Sequence, residues 1–265
     1  MTSSTTESST QPLVIIDRRL PVAVVWLNRP EVLNALSPEL LWSLSQALAE
    51  LDDDGEVRVT IITGSGRAFC AGADIQVMAS ASPMDILRRN TLESWIRIRR
   101  VNKPLIAAVN GIAYGGGCEL ALICDLIVAA ENARFAQPEI KLGIMPGAGG
   151  TQRLSKAIGP YRAMEMILTG EPLNAQEAFT NGLVNRIVPP ERCLDEALEL
   201  ARTIAARPPI AVRLAREAVR YGVETTLQKG MEIERRNYLL LYDTLDQKEG
   251  MAAFLEHRSP QFKGR

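Results

Sequence analysis

Two uninterrupted apolar runs, LIAAV at 105–109 and LIVAA at 126–130, leave this chain few ways to fold. Neither alternates apolar with polar residues, as a strand with one wet face does. Both are short for helices, so such runs mark strands covered on both faces. Between them stand Asn110-Gly111, a turn signal, and then Gly115-Gly116-Gly117, which open the apolar helix CELALIC. Pro104 stops any helix arriving from upstream. The stretch 104–130 thus reads as strand, glycine turn, helix and strand, the repeating unit of an α/β fold. One carboxylate, Glu119, sits in the first turn of that apolar helix.

The flanking chain agrees. Residues 13–17 and 22–28 are β-branched runs split by a turn at Arg18–Pro21, a hairpin pattern. Ser37-Pro38 starts a helix, with serine as N-cap and proline in the first turn. Leu40, Leu41, Leu44, Leu48 and Leu51 follow at helical spacing, and 57–63 is a strand. Pro83 opens a second helix reaching about Arg100, with Ile86, Leu87, Trp95, Ile96 and Ile98 as apolar anchors. Helical patterns follow at 149–158, 160–168 and 174–180, with a late strand at 183–188. Beyond Pro189 only helices are expected, at 191–206, 209–221, 224–243 and 246–256. The expected division is a disordered tail at 1–12, a β/α core at 13–190 and a helical region at 191–265.

Composition excludes several functions. Lysine plus arginine number 30 against 31 acids in 265 residues, so no net field favours nucleic acid or an anionic membrane. The Ser/Thr-rich start lacks the apolar segment of a secretory signal, and no run reaches membrane-spanning length. Cys70, Cys118, Cys124 and Cys193 form no CxxC pair, which suits a reducing compartment. His257 is the one histidine. That argues against a Ser-His-Asp triad and against multi-histidine metal sites. GxSxG and GxxxxGK[ST] are absent, and Leu120 breaks the GxGxxG pattern. Carboxylates and backbone N–H groups are left to carry chemistry.

The glycine-led helix start at 115–117 suits an anion or a developing oxyanion, or simply a tight turn. Glu119 faces either a cavity or solvent at a helix N-terminus, where a negative charge is favoured. Glu139, in QPEIKLG, reads alone as a surface acid. Two carboxylates about one water make a general acid/base pair, but spacing alone does not bring 119 and 139 together. FCAGADI (69–75) offers small residues for close backbone approach, and Ala73-Asp74 suits a short helix start with Asp74 as a cap. GIMPGAGG (143–150) is a second glycine-rich turn before a helix.

Taken in order, FCAGADI, AVNGIAYGGGCELALICDLIVAA, FAQPEIKLGIMPGAGGTQRL and EGMAAFLEHRSPQFKG resemble the enoyl-CoA hydratase/isomerase (crotonase) superfamily, from about residue 13 to the end. The resemblance implies a spiral of ββα units and C-terminal helices that build a trimer or a dimer of trimers. It implies an acyl-CoA thioester as substrate and no metal or redox cofactor, while the charge balance, cysteine usage and lack of a signal lead to the expectation of no nucleic-acid or membrane partner and a cytoplasmic setting.

It also implies roles for residues. Ala73 and Gly116 match the two backbone donors of an oxyanion hole. Glu119 and Glu139 match two glutamates that hold one water for addition across a trans-2-enoyl-CoA, with Glu119 as its base and Glu139 as the acid for the α-carbon. Gly147 matches a glycine beside that water. Ala71, Ala73, Asp74, Ile75 and Gln76 match the segment lining the CoA site, and Phe254 the family's aromatic one turn before His257, whose position reaches in from a neighbouring subunit. Gln76 and His257 stand where relatives often carry lysines near the CoA phosphates. Isomerases commonly lack the Glu119-type residue, so its presence favours hydration. An isomerase, a branched-chain hydratase of the methylglutaconyl-CoA type and a non-catalytic RNA-binding relative are the alternative expectations.

Overall fold

The two apolar runs become adjacent central strands, each covered on both faces. A computed structural model describes residues 11–88 and 91–265. The tail expected at 1–12 lies, up to residue 10, outside them. In chain order the strands are β1 (Val14–Arg19), β2 (Val22–Leu27), β3 (Val59–Gly64), β4 (Ala68–Cys70), β5 (Leu105–Val109), β6 (Ile112–Tyr114), β7 (Leu126–Ala130), β8 (Arg134–Ala136), β9 (Leu173–Asn174) and β10 (Arg186–Val188). One sheet of six runs β1-β2-β3-β5-β7-β10, and one of four runs β4-β6-β8-β9.

The hairpin is antiparallel, with Val14 opposite Leu27 and Arg19 opposite Val22. From β2 through β10 the large sheet is parallel. Successive strands visit the two sheets in turn. β3, β5 and β7 enter the large sheet, β4, β6 and β8 the small one, and a helical segment follows each pair. This is the expected spiral of ββα units.

Alternation along β5 explains why that run has no polar position. Leu105, Ala107 and Val109 enter one core with Leu44, Leu48, Phe69 and Leu120. Ile106 and Ala108 enter a second with Val24, Ile61, Val128, Ala197 and Ala201. The helix Cys193–Ala205 packs on that second face. Burying a large apolar side chain contributes roughly 1.5–3 kcal/mol, so a polar residue on either face would forfeit much of that.

The helix Pro38–Asp53 begins as expected: Ser37 accepts from the Leu40 N–H, and Leu40, Leu41, Leu44, Leu48 and Leu51 are buried. The stretch read as one helix from Pro83 is described as two segments, Pro83–Arg88 and Thr91–Arg100. The small sheet was not anticipated. Its strands have two or three residues each, too few for period-2 alternation to register. One of them, β6, stands between the Asn110-Gly111 turn and the glycine helix. Among the described residues, no helix is long and apolar enough to cross a membrane.

Candidate active site

The site forms where the small sheet meets the glycine-led helix Gly116–Ile123. The backbone makes this junction tight. Gly115 has φ +50°, and a Cβ there would stand 3.1 Å from Glu139 Oε1. Only glycine takes that conformation readily while letting a carboxylate come so close. Gly117 packs directly on the Cys70 carbonyl, which seats the helix against β4. The Glu139 carboxylate therefore abuts the residue that leads into Gly116.

Glu119 is 3% exposed despite its first-turn position. Its Oε1 accepts from the backbone N–H of Ala148 and of Gly150, each at 2.7 Å. The loop 143–149 thus closes over the glutamate, and Arg153 braces it by donating to the Ala148 carbonyl at 2.9 Å. Burial raises the Glu119 pKa, and the two N–H donors and the Arg153 charge offset that rise only in part. No hydrogen bond engages Oε2 among the described residues.

Glu139 lies in the short helical segment Pro138–Leu142 and is half-buried, not a fully solvated surface acid. Its pKa is pushed up to about 7, first by burial and further by the Glu119 charge, with a backbone N–H acting the other way. The two carboxylates thus feel each other. Gln137, fully buried, supplies a donor: with its amide turned to suit the network, nitrogen reaches Glu139 Oε1 at 3.1 Å and Oε2 at 3.3 Å.

Ala73 lies across from the helix start. A Cβ built on Gly116 would stand 3.7 Å from the Ala73 nitrogen, 3.2 Å from Leu36 Cδ1 and 3.8 Å from Trp95 Cζ2. Ala73 itself is exposed, so the space between the two backbone groups opens outward. Gly116 heads a helix, where N–H groups lack intrahelical acceptors. The backbone groups of Ala73 and Gly116 thus lie close together, with the apolar side chains of Leu36 and Trp95 beside them.

Asp74 caps the short helix Ile75–Met78 by position only, because its carboxylate pairs with Arg29 at 3.1 Å instead. Ala71 is half-buried, Ile75 and Gln76 are exposed on that helix, and Gly147 is exposed in the loop over Glu119. Phe254 is 79% exposed at the end of the last helix, Leu245–Leu255, with His257 exposed just beyond. No hydrogen bond links either to residues 71–76 or 115–150 among the described residues. One chain thus gathers Ala73, Gly116, Glu119 and Glu139, and leaves Phe254 and His257 facing outward.

Sequence reading missed three contributors. Gln137 is a lone amide beside a proline, and only its complete burial next to an acid marks it. Leu36 reads as a core leucine. Arg29 is separated from its partner Asp74 by 45 positions.

The model of the enoyl-CoA hydratase/isomerase family matches residues 17–265. This chain belongs to the enoyl-CoA hydratase/isomerase family. A probable enoyl-CoA hydratase of Mycobacterium bovis is 46% identical over 256 residues, covering 97% of this chain and all of that protein. The 2,3-dehydroadipyl-CoA hydratase of Escherichia coli is 47% identical over 252 residues, covering 95% and 99%. A crystal structure of an enoyl-CoA hydratase subunit from Geobacillus kaustophilus superposes with a TM-score of 0.94 at 50% identity, covering 96% of this chain and 99% of that one. The crotonase spiral with its helical C-terminal region is therefore this chain's fold.

Proposed function

We propose that Glu119 and Glu139 jointly add water to a trans-2-enoyl-CoA, giving a 3-hydroxyacyl-CoA, the hydro-lyase reaction of this enoyl-CoA hydratase. The observation that carries this division of labour is the unequal setting of the two carboxylates. Glu119 takes two backbone N–H bonds on one oxygen, which favour its ionised form against the burial that raises its pKa. Glu139, raised to about 7, holds a proton near neutrality. An ionised base beside a protonated acid is what hydration asks of the pair.

Glu119 takes a proton from water as its oxygen attacks the β-carbon. Glu139 gives its proton to the α-carbon. Charge that builds on the thioester oxygen meets the N–H groups of Ala73 and Gly116. Such donors act most where charge develops, and losing one typically costs about 3–4 kcal/mol of transition-state stabilisation. Only proton transfers and hydrogen bonds are needed, so the reaction calls for no cofactor. The exposed Ile75 and Gln76, with Gly147, border the path along which CoA and water would enter.

A homotrimer or dimer of trimers is part of the reading. Leu227, Phe254 and Leu255 are each at least three-quarters exposed, more apolar surface than helices of a lone subunit usually leave wet. A neighbour would bring Phe254 to the CoA site. Light scattering on the eluting protein tests this, and a monomer that turns over at full rate would refute it. A cytoplasmic setting suits four cysteines that are all unpaired.

The deciding experiment measures crotonyl-CoA hydration by wild type, Glu119→Gln and Glu139→Gln. Each variant is expected to lose roughly 100- to 10,000-fold in kcat. Near-wild-type turnover by both would refute the pairing. A loss in Glu139→Gln alone, with 3-enoyl-CoA isomerised faster than crotonyl-CoA is hydrated, would point to an isomerase.

A further inference from the structure

The segment 29–37 grips the stretch 71–74 through a parallel bridge, a further backbone hydrogen bond and one ion pair. Leu36 N–H donates to the Gly72 carbonyl at 2.7 Å, and the Leu36 carbonyl accepts from Asp74 N–H at 3.1 Å. This is an isolated parallel bridge between Leu36 and Ala73. In such a bridge the central residue bonds to the positions on either side of its opposite number. The peptide N–H of that opposite number must then point away. Leu36 therefore turns the Ala73 N–H away from the segment 29–37, and a Cβ on Gly116 would stand 3.7 Å from that nitrogen.

On its upstream side the Ala71 N–H donates to the Leu33 carbonyl at 2.9 Å, and on the Asp74 side no backbone ladder continues to hold it. Here Arg29 does so. Its Nη1 donates to the Ala35 carbonyl at 2.7 Å, next to Leu36, and to Asp74 Oδ2 at 3.1 Å, next to Ala73. One guanidinium nitrogen thus spans both strands beside the bridge. Both side chains are mostly shielded, at 20% and 15% exposure, which protects the pair from solvent screening. Arg29 is itself anchored, because Asn34 Oδ1 accepts its N–H at 2.9 Å. Asn34 Nδ2 donates to the Ser65 and Ala68 carbonyls at 2.9 and 2.8 Å, which fixes the segment to the β3–β4 turn. Leu33 and Asn34 hold φ of +53° and +58°. Such angles are unfavourable outside glycine and persist where the surroundings enforce them.

We propose that Arg29 is a positioning residue of the oxyanion hole, holding the Leu36–Ala73 bridge shut so that the Ala73 N–H stays aimed at the thioester oxygen. The inference rests on the reading of Ala73 as an oxyanion donor. Arg29 needs no contact with the substrate in this role. It acts through Ala35 and Asp74, and its loss lets the Ala73 peptide rock. A donor misplaced by a fraction of an ångström weakens the transition state more than the ground state.

The test uses full-length Arg29→Ala, Arg29→Lys and Asp74→Asn, with Arg19→Ala as a control that removes an exposed ion pair in β1. Two quantities are read: kcat and KM for crotonyl-CoA, and the infrared carbonyl stretch of bound butyryl-CoA labelled with carbon-13 at the thioester. In wild type the stretch is expected to fall on binding. Arg29→Ala is expected to lose at least about half of that shift and about 10- to 100-fold in kcat, with KM moving less than about threefold. Arg29→Lys recovers part of both, because an ammonium still reaches one of the two acceptors. Arg19→Ala changes neither. If Arg29→Ala keeps the full carbonyl shift and kcat, the proposal is overturned. If it does not fold, as judged by circular dichroism, Arg29→Lys and Asp74→Asn decide by the same criteria. If wild type itself shows no carbonyl shift, the donor role of Ala73 fails, a result distinct from any difference among the variants.

Discussion

Gln137 is fully buried with its amide nitrogen 3.1 Å from one oxygen of Glu139 and 3.3 Å from the other. A donated N–H favours the ionised carboxylate over the protonated one. Gln137→Leu removes that donor with little change of shape. The variant is expected to move the alkaline limb of kcat/KM to higher pH and to lower kcat about tenfold, the usual scale for a hydrogen bond to a charged group. Rates across the pH range check this, and a limb that stays in place would remove Gln137 from the proton chemistry.

Hydration starts from ionised Glu119 and protonated Glu139. Dehydration starts from protonated Glu119 and ionised Glu139. The two starting states hold the same number of protons, so both directions run on a pair carrying one. Plots of kcat/KM for the two directions are expected to follow a single bell, its alkaline side falling through about 7. Initial rates measured both ways give the comparison. An alkaline side that stays level past about pH 8 would break the one-proton scheme.

The same acid shapes stability. The folded pKa of Glu139, about 7, lies above its ordinary value of 4.5. Below 4.5 both the folded and the unfolded chain keep the proton, and the shift has no effect. As pH rises through the window up to about 7, the unfolded chain has released its proton and the folded chain has not, so stability falls. Glu139→Gln cannot titrate. Its melting temperature relative to wild type is expected to become more favourable between about pH 5 and pH 8, as calorimetry would read. A difference that does not change with pH would place the Glu139 pKa near that of a free carboxyl.

Gly117 and Gly147 separate packing from chemistry. A Cβ on Gly117 would collide with the Cys70 carbonyl, and with the Cys70 Cβ at 2.7 Å. Gly117→Ala must push helix and strand apart and is expected to cost about 1–3 kcal/mol or more in a denaturant titration. Around Gly147 a Cβ meets nothing within 4 Å. Gly147→Ala is expected to stay within about 0.5 kcal/mol of wild type. If Gly147 borders the reacting water, the alanine variant nonetheless loses turnover. Unchanged turnover would remove Gly147 from the water's surroundings.

The large sheet was legible because β2, β3, β5 and β7 carry five or six residues each, enough for pattern to speak. The small sheet was not. FCA, IAY and RFA become strands only because the longer strands before them deliver them side by side. Glu119 stood out as a charge within an apolar helix. Glu139 looked like a loop acid because burial by Gly115 and Gln137 is a fact of three dimensions, not of its neighbours Pro138 and Ile140. The Arg29–Asp74 pair had no local trace at all. Ion pairs between distant segments leave no periodicity, and arginine and aspartate are common at any surface.

Both backbone donors to Glu119 fall on Oε1, which leaves Oε2 to meet the water. On the proposed roles, this makes the two oxygens of one carboxylate inequivalent. The backbone of the loop 148–150 thus decides which oxygen of the base is left free for the water.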